Sequence, residues 1–270
     1  MQYQNLKGRV KSMVTFDCAP GFTGKMNCAV NNSIYDIKGN LVEHNEYSGS
    51  EHNLEMNRLF RKHIFGYDTR GNRISASHYD YEGKLDERVD YKFDDHGNPI
   101  EKSSKGEIEF KYNNKYDAAG NKTESALLNP DGSLWSRTLY KYDLAGNLTE
   151  SNKYDAYNQW LEKREYDYDT LGNQTLEKYF EIRSSVPVNT NSGKKAEPVY
   201  ELKLQYSTSF TYDFNGNRSE TIKNPINNEP EIKLLYKYED FDKQGNWRKM
   251  TILQDEKVVK TTDREFEYFE

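Results

Sequence analysis

One six-residue phrase limits what this chain can fold into. It reads aromatic, Asp, two variable residues, Gly, Asn, and it occurs eight times in 270 residues. The copies begin at Tyr35, Tyr67, Phe93, Tyr116, Tyr142, Tyr168, Tyr212 and Phe241. Their Asp and Gly pairs are Asp36 and Gly39, Asp68 and Gly71, Asp94 and Gly97, Asp117 and Gly120, Asp143 and Gly146, Asp169 and Gly172, Asp213 and Gly216, and Asp242 and Gly245. Such self-similarity marks a repeat architecture, in which units bury apolar surface against their neighbours. The phrase has a mechanical reading. An Asp side chain accepts hydrogen bonds from backbone N–H groups two residues on. Two tolerant residues then take the α region, and Gly supplies a positive φ. This is a type I turn followed by a one-residue bulge, a common link between antiparallel strands. The repeated Asp and Gly are therefore turn residues.

A second set of looser turns is expected between copies, at Tyr81-Glu82-Gly83-Lys84, Asn129-Pro130-Asp131-Gly132-Ser133 and Asn224-Pro225-Ile226-Asn227-Asn228. Two strands per repeat follow, hence a β-meander. Counting back from each phrase aromatic, even offsets carry Leu134, Tyr140 and Tyr142, or Trp160, Tyr166 and Tyr168. Odd offsets are mostly polar, as in Asp86, Arg88, Asp90 and Lys92. Period two assigns these to opposite faces, one aromatic and one charged, with Trp135 on the second. The eighth copy slips by one residue near Glu239-Asp240. The expected fold is all-β: tandem β-hairpin repeats in a long, twisted, curled antiparallel sheet, an open or partly closed shell. Residues 1–29 lack the phrase and read as an N-terminal capping hairpin. Residues 30–270 form one continuous array of eight hairpin repeats, with a loop insertion at 183–200.

Composition narrows the setting. Hydrophobic residues are 34% and charged residues 30%, a balance that often means disorder, yet 22 Tyr, 12 Phe and 3 Trp argue for order. The net charge of −6 lacks the basic footprint that phosphate contacts need, so no nucleic-acid partner is expected. No apolar run reaches the length of a membrane span, so the chain is expected not to be membrane-spanning. The first residues lack the apolar stretch of a signal peptide, so the expectation is either a cytoplasmic chain or a mature form without its leader. Cys18 and Cys28 either close a bridge or remain two free thiols.

The phrase Tyr-Asp-x-x-Gly-Asn, with aromatic strands between copies over residues 30–250, resembles the YD repeats of the RHS family. In that family such repeats form a strip of hairpins that spirals into a hollow shell. The shell encloses a toxin in large members, and related animal receptors use it for adhesion. The short, Tyr-rich style is similar to small RHS-like proteins of Bacteroidetes, often exported, which implies an extracytoplasmic location: periplasm, cell surface or secreted. No Asp-Pro pair occurs and the repeats run almost to Glu270, so the resemblance implies the architecture and not the encapsulation.

Catalytic motifs do not emerge. Identical Asp in identical turns share one environment, whereas an acid–base pair needs two different ones. Asp167 to Gly172 fails as a calcium loop because Leu171 stands at a ligand position. His44, His52, His63, His78 and His96 show no ligand spacing and read as surface residues. The expectation is a non-enzymatic scaffold, with no cofactor and no metal, that binds an unknown glycan or protein. Trp135, Trp160 and Trp247 are its candidate ligand-binding residues. The rivals are a glycan-active enzyme with carboxylates such as Glu87 or Glu162 on the concave face, and a purely structural spacer.

Overall fold

A computed structural model describes residues 6–21, 26–48, 58–185, 199–226 and 229–270. Segment 186–198, most of the expected loop, and His52 lie outside the described residues. The strands are β1 (Val10–Pro20), β2 (Met26–Tyr35), β3 (Leu41–Ser48), β4 (Arg58–Tyr67), β5 (Arg73–Tyr79), β6 (Leu85–Phe93), β7 (Pro99–Ser104), β8 (Glu107–Tyr116), β9 (Lys122–Leu128), β10 (Leu134–Tyr142), β11 (Leu148–Asp155), β12 (Trp160–Tyr168), β13 (Gln174–Ser185), β14 (Val199–Tyr212), β15 (Arg218–Pro225), β16 (Ile232–Phe241), β17 (Trp247–Gln254) and β18 (Lys257–Tyr268). The chain divides into two compact units, 1–109 with 234–270, and 110–233.

The eight phrases form the same turn. In the first, Gly39 N donates to Asp36 O at 2.9 Å, Asp36 N donates to Asn40 O at 2.9 Å, and Gly39 has φ +85°. The Asp36 carboxylate accepts from the N–H of Lys38 and Asn40, each at 2.9 Å, and from Asn40 Nδ2 at 2.8 Å. The structure also explains why the phrase ends in Asn. A Cβ on Gly97 would come within 3.1 Å of Asn72 Oδ1, and one on Gly172 within 3.8 Å of Asn147 Oδ1. Asn40, Asn72, Asn121 and Asn147 therefore sit beside the Gly of the next turn, whereas Gly120, Gly216 and Gly245 have no such Asn against them. The phrase tyrosine adds a second link, since Tyr67 Oη donates to Leu41 O at 2.8 Å and Tyr212 Oη to Gln174 O at 2.8 Å. The intervening turns at Asp80–Lys84, Asn129–Ser133 and Asp155–Gln159 have the same backbone hydrogen bonds, so they are not looser. The extra residue of the eighth copy is Asp240, at φ +53°.

The expectation of an open or partly closed sheet is corrected by the strand order. β1 pairs with β2 and also, antiparallel, with β18, from Val10↔Tyr268 to Cys18↔Thr261. Among the described residues the 18 strands join one antiparallel sheet with no free edge, a closed β-barrel in its pairing. Closure leaves no row of unpaired backbone groups. The same finding overturns the expectation that the chain does not span a membrane. Among the described residues no helix is long and apolar enough to cross. Closed barrels cross with strands, which need no long apolar run, so the absent run excludes nothing.

A register shift recurs on the strand leading into the phrase turns and corrects the assignment of faces. Glu46 pairs with Arg61 while Tyr47 pairs with Leu59, leaving Phe60 extra. By the same skip Asp86 is extra on β6, Trp135 on β10 and Leu161 on β12. A bulge places two successive side chains on one side and inverts the alternation beyond it. Residues counted eight back from the aromatic, such as Leu134 and Trp160, thus leave the aromatic face.

Burial is thin. In the first unit Val10, Met13 and Tyr35 form a core cluster with Leu6, Leu41, Phe266 and Tyr268 against it. In the second, Ala126, Ser136, Asn152, Thr208 and Phe210 are buried. The charged face carries a repeated ion pair: Lys92–Glu101, Lys115–Glu124 and Lys141–Glu150, each at 2.7 Å across one register step. Exposed pairs of this kind contribute about 0.2–1 kcal/mol each.

Candidate functional site

The best-formed surface in the second unit lies on β10, β11 and β12. Asp155–Gln159 forms the turn that joins β11 to β12. The bulge at Leu161 pairs Trp160 with Tyr154, and their rings stack at 5.8 Å and 28°. Arg137 on β10 lies over the Tyr154 ring at 5.4 Å and donates to Asn158 Oδ1 in the turn. Trp160 is 40% exposed and Tyr157, at the turn tip, 85%. The result is a flat aromatic platform edged by a guanidinium, an amide and a phenol. On the same face of β11, Glu150 accepts from Lys141 and from Asn152 Nδ2 at 2.7 Å each. Burial raises the Glu150 pKa, but these partners and Lys163 outweigh it and hold the carboxyl at about 2.

Trp135, expected on the charged face, is turned by its bulge toward Phe110, with ring centroids 6.3 Å apart and planes at 64°. Trp160, expected on the aromatic face, lies with Tyr154 and Arg137 on the charged one. Trp247 is corrected differently. It is only 4% exposed, with the Arg264 guanidinium 3.4 Å over its ring and Tyr238 at 5.4 Å, so it offers no face to a ligand.

The turn carboxylates are occupied by their own turns. The side-chain amide of the phrase Asn, above all, holds Asp68, Asp117, Asp143 and Asp169 below the ordinary carboxylate value, with backbone N–H groups adding to it. Glu162 accepts from Arg164 Nε at 2.7 Å, and Arg164 also reaches Glu177 at 2.8 Å. Glu87 lines a cleft of about 340 Å³ with Leu85, Asp86, Arg88 and Lys105. Cys18 and Cys28 are joined by a disulfide directly across β1 and β2.

A histidine row was not visible as a motif. Register pairs Ser33 with His44, His44 with His63, and His63 with His78, on β2 to β5. The His44 and His63 centroids are 5.8 Å apart, and those of His63 and His78 are 4.6 Å apart. Burial lowers the pKa of both His44 and His63, and each is lowered further by its neighbouring imidazole. The signal was the turn itself: a phrase turn with its bulge pairs the residue four before Tyr67 with His78.

No family model matches this sequence, and no curated protein matches it. Among solved structures, it is similar to a porin-like protein from Bacteroides uniformis, at 10% identity and a TM-score of 0.45, over 97% of this chain and 99% of that one. It is also similar to a chain of the Photorhabdus luminescens Tc holotoxin pore, at 12% identity and a TM-score of 0.37, over 90% of this chain. A complex of TcdB2, TccC3 and Cdc42 gives 12% identity and a TM-score of 0.36 over 89% of this chain. The chain spans about 15% of each of those two toxin chains.

Proposed function

We propose that this chain is an RHS-like, non-enzymatic β-repeat scaffold on the extracytoplasmic side of the cell, and that it binds a glycan at the Trp160 platform. The exposed Trp160 ring, stacked on Tyr154 and edged by Arg137, Asn158 and Tyr157, carries this reading. A flat aromatic face packs against the C–H face of a sugar ring while the flanking polar groups meet its hydroxyls. The disulfide supports the compartment, because such bonds persist in oxidising surroundings. The non-enzymatic reading is supported by the turn carboxylates, each engaged by backbone N–H groups of its own turn and, as at Asp68, Asp117, Asp143 and Asp169, by the phrase Asn side chain.

A glycan array with the untagged chain tests it, using Trp160→Ala and Trp135→Ala as a pair. Removing one stacked aromatic costs on the order of 1–2 kcal/mol, about tenfold in affinity. Trp160→Ala is expected to lose binding by that factor, and Trp135→Ala to retain it. Equal binding by both variants, or capture of proteins and no glycan, contradicts the proposal.

A further inference from the structure

We propose that His63 and His78 form a chelating pair for a late first-row divalent ion (zinc, nickel or copper), with His44 as the adjacent third imidazole. Directly opposed residues on antiparallel strands hold their Cβ atoms about 4.5–5.5 Å apart. From that spacing two imidazoles can share one cation at bonds of about 2.0–2.1 Å. Here His63 Nδ1 faces His78 Nδ1 within hydrogen-bond reach. Glu46 fixes which His63 nitrogen is available. Its Oε1 accepts from His63 Nε2 at 3.2 Å, which places the proton on Nε2 and leaves the Nδ1 lone pair toward His78. A carboxylate behind a histidine is the common outer support of a metal-bound imidazole. Phe65 lies parallel to the His63 ring, 6.5 Å away and 6° from coplanar.

His44 stands one strand away. Its Nδ1 is 3.0 Å from Ser33 Oγ, so Nε2 is the nitrogen left for a ligand. Among the described residues no three His, Cys, Asp or Glu are already arranged around one point, so the pair supplies two bonds, and solvent or a turned His44 completes the set. Imidazole donors select zinc, nickel or copper over magnesium or calcium.

The test titrates the untagged, metal-stripped full chain near neutral pH with zinc, nickel and copper(II) salts by calorimetry, and follows copper by electron paramagnetic resonance. The proposal expects one equivalent of metal and imidazole nitrogen couplings on copper. His63→Asn and His78→Asn should each abolish or greatly weaken binding. Glu46→Gln should weaken it about tenfold, as outer-shell losses do, and His96→Asn should leave it unchanged. Should the His variants fail to fold, the copper spectrum of the native chain still decides. No binding, binding indifferent to His63→Asn and His78→Asn, or copper without imidazole nitrogen overturns the proposal and leaves two rings sharing one proton.

Discussion

Asn246 offers the sharpest perturbation of the closure. It is the Asn of the eighth phrase, and unlike its counterparts its side chain faces the start of the chain. Its Oδ1 accepts from Lys7 N at 2.7 Å, and its Nδ2 donates to Lys7 O at 2.7 Å and to Tyr268 Oη at 2.9 Å. Tyr268 Oη in turn donates to Asp242, taking the place the Asn holds in other turns. Asn246 is 4% exposed. Asn246→Ala removes three hydrogen bonds at about 0.5–1.5 kcal/mol each and leaves Lys7 backbone groups unpaired, for a total of about 2–4 kcal/mol. Asn147→Ala, in an ordinary turn, loses one solvent-exposed side-chain bond to Asp143 at 2.9 Å, a clearly smaller loss. Urea unfolding with the disulfide intact reads the difference as a shift in midpoint at unchanged slope. Equal losses from the two variants would refute the reasoning, because Asn246 would then act within its turn alone.

Three further predictions test the turns and the tryptophans. Gly97→Ala and Gly83→Ala both force an L residue to a φ near +80°, costing about 1–2 kcal/mol each. Gly97→Ala should cost more in thermal unfolding, since its Cβ meets Asn72 Oδ1 at 3.1 Å whereas nothing lies within 4 Å at Gly83. The lowered pKa values of Asp68, Asp117, Asp143 and Asp169 give stability that is full above the unfolded carboxylate value, about 3.9, and lost as pH falls through it toward the folded values. Denaturant midpoints should therefore drop on acidification from about pH 4, and replacing the four Asp by Asn should flatten that slope; an unchanged slope counts against the turn account. Trp247→Ala should destabilise by about 3–5 kcal/mol as a core truncation, while Trp160→Ala changes the unfolding midpoint little; the reverse order in calorimetry would misplace both residues.

The turns were legible because their chemistry is local. Asp and Gly act within five residues, so spacing alone predicts the Asp-to-backbone hydrogen bonds that each copy makes, while the reach of the Asn beyond its own turn is not legible. The faces were legible only up to the bulge. Nothing in the run Leu134-Trp135-Ser136 announces that Trp135 will be the extra residue, because a bulge answers to the partner strand. Trp135 and Trp160 therefore exchanged faces. Trp247 looked like a ligand platform because its cover, Arg264, comes from the next strand. Closure was hidden for the same reason at longer range: the pairing of Met13 with Phe266 leaves no trace in either segment. The histidine row lay between. Its register was implicit in the phrase turn, but His44, His63 and His78 belong to three strands and form no contiguous motif.

Hydrogen exchange over residues 10–20 and 257–268 tests the closed sheet most directly. If β1 and β18 are paired with each other, both segments exchange as slowly as their inner neighbours β2 and β17, since neither strand has a free edge. Fast exchange at alternate amides of both β1 and β18, with β2 and β17 protected, would mean two open edges and would contradict the barrel.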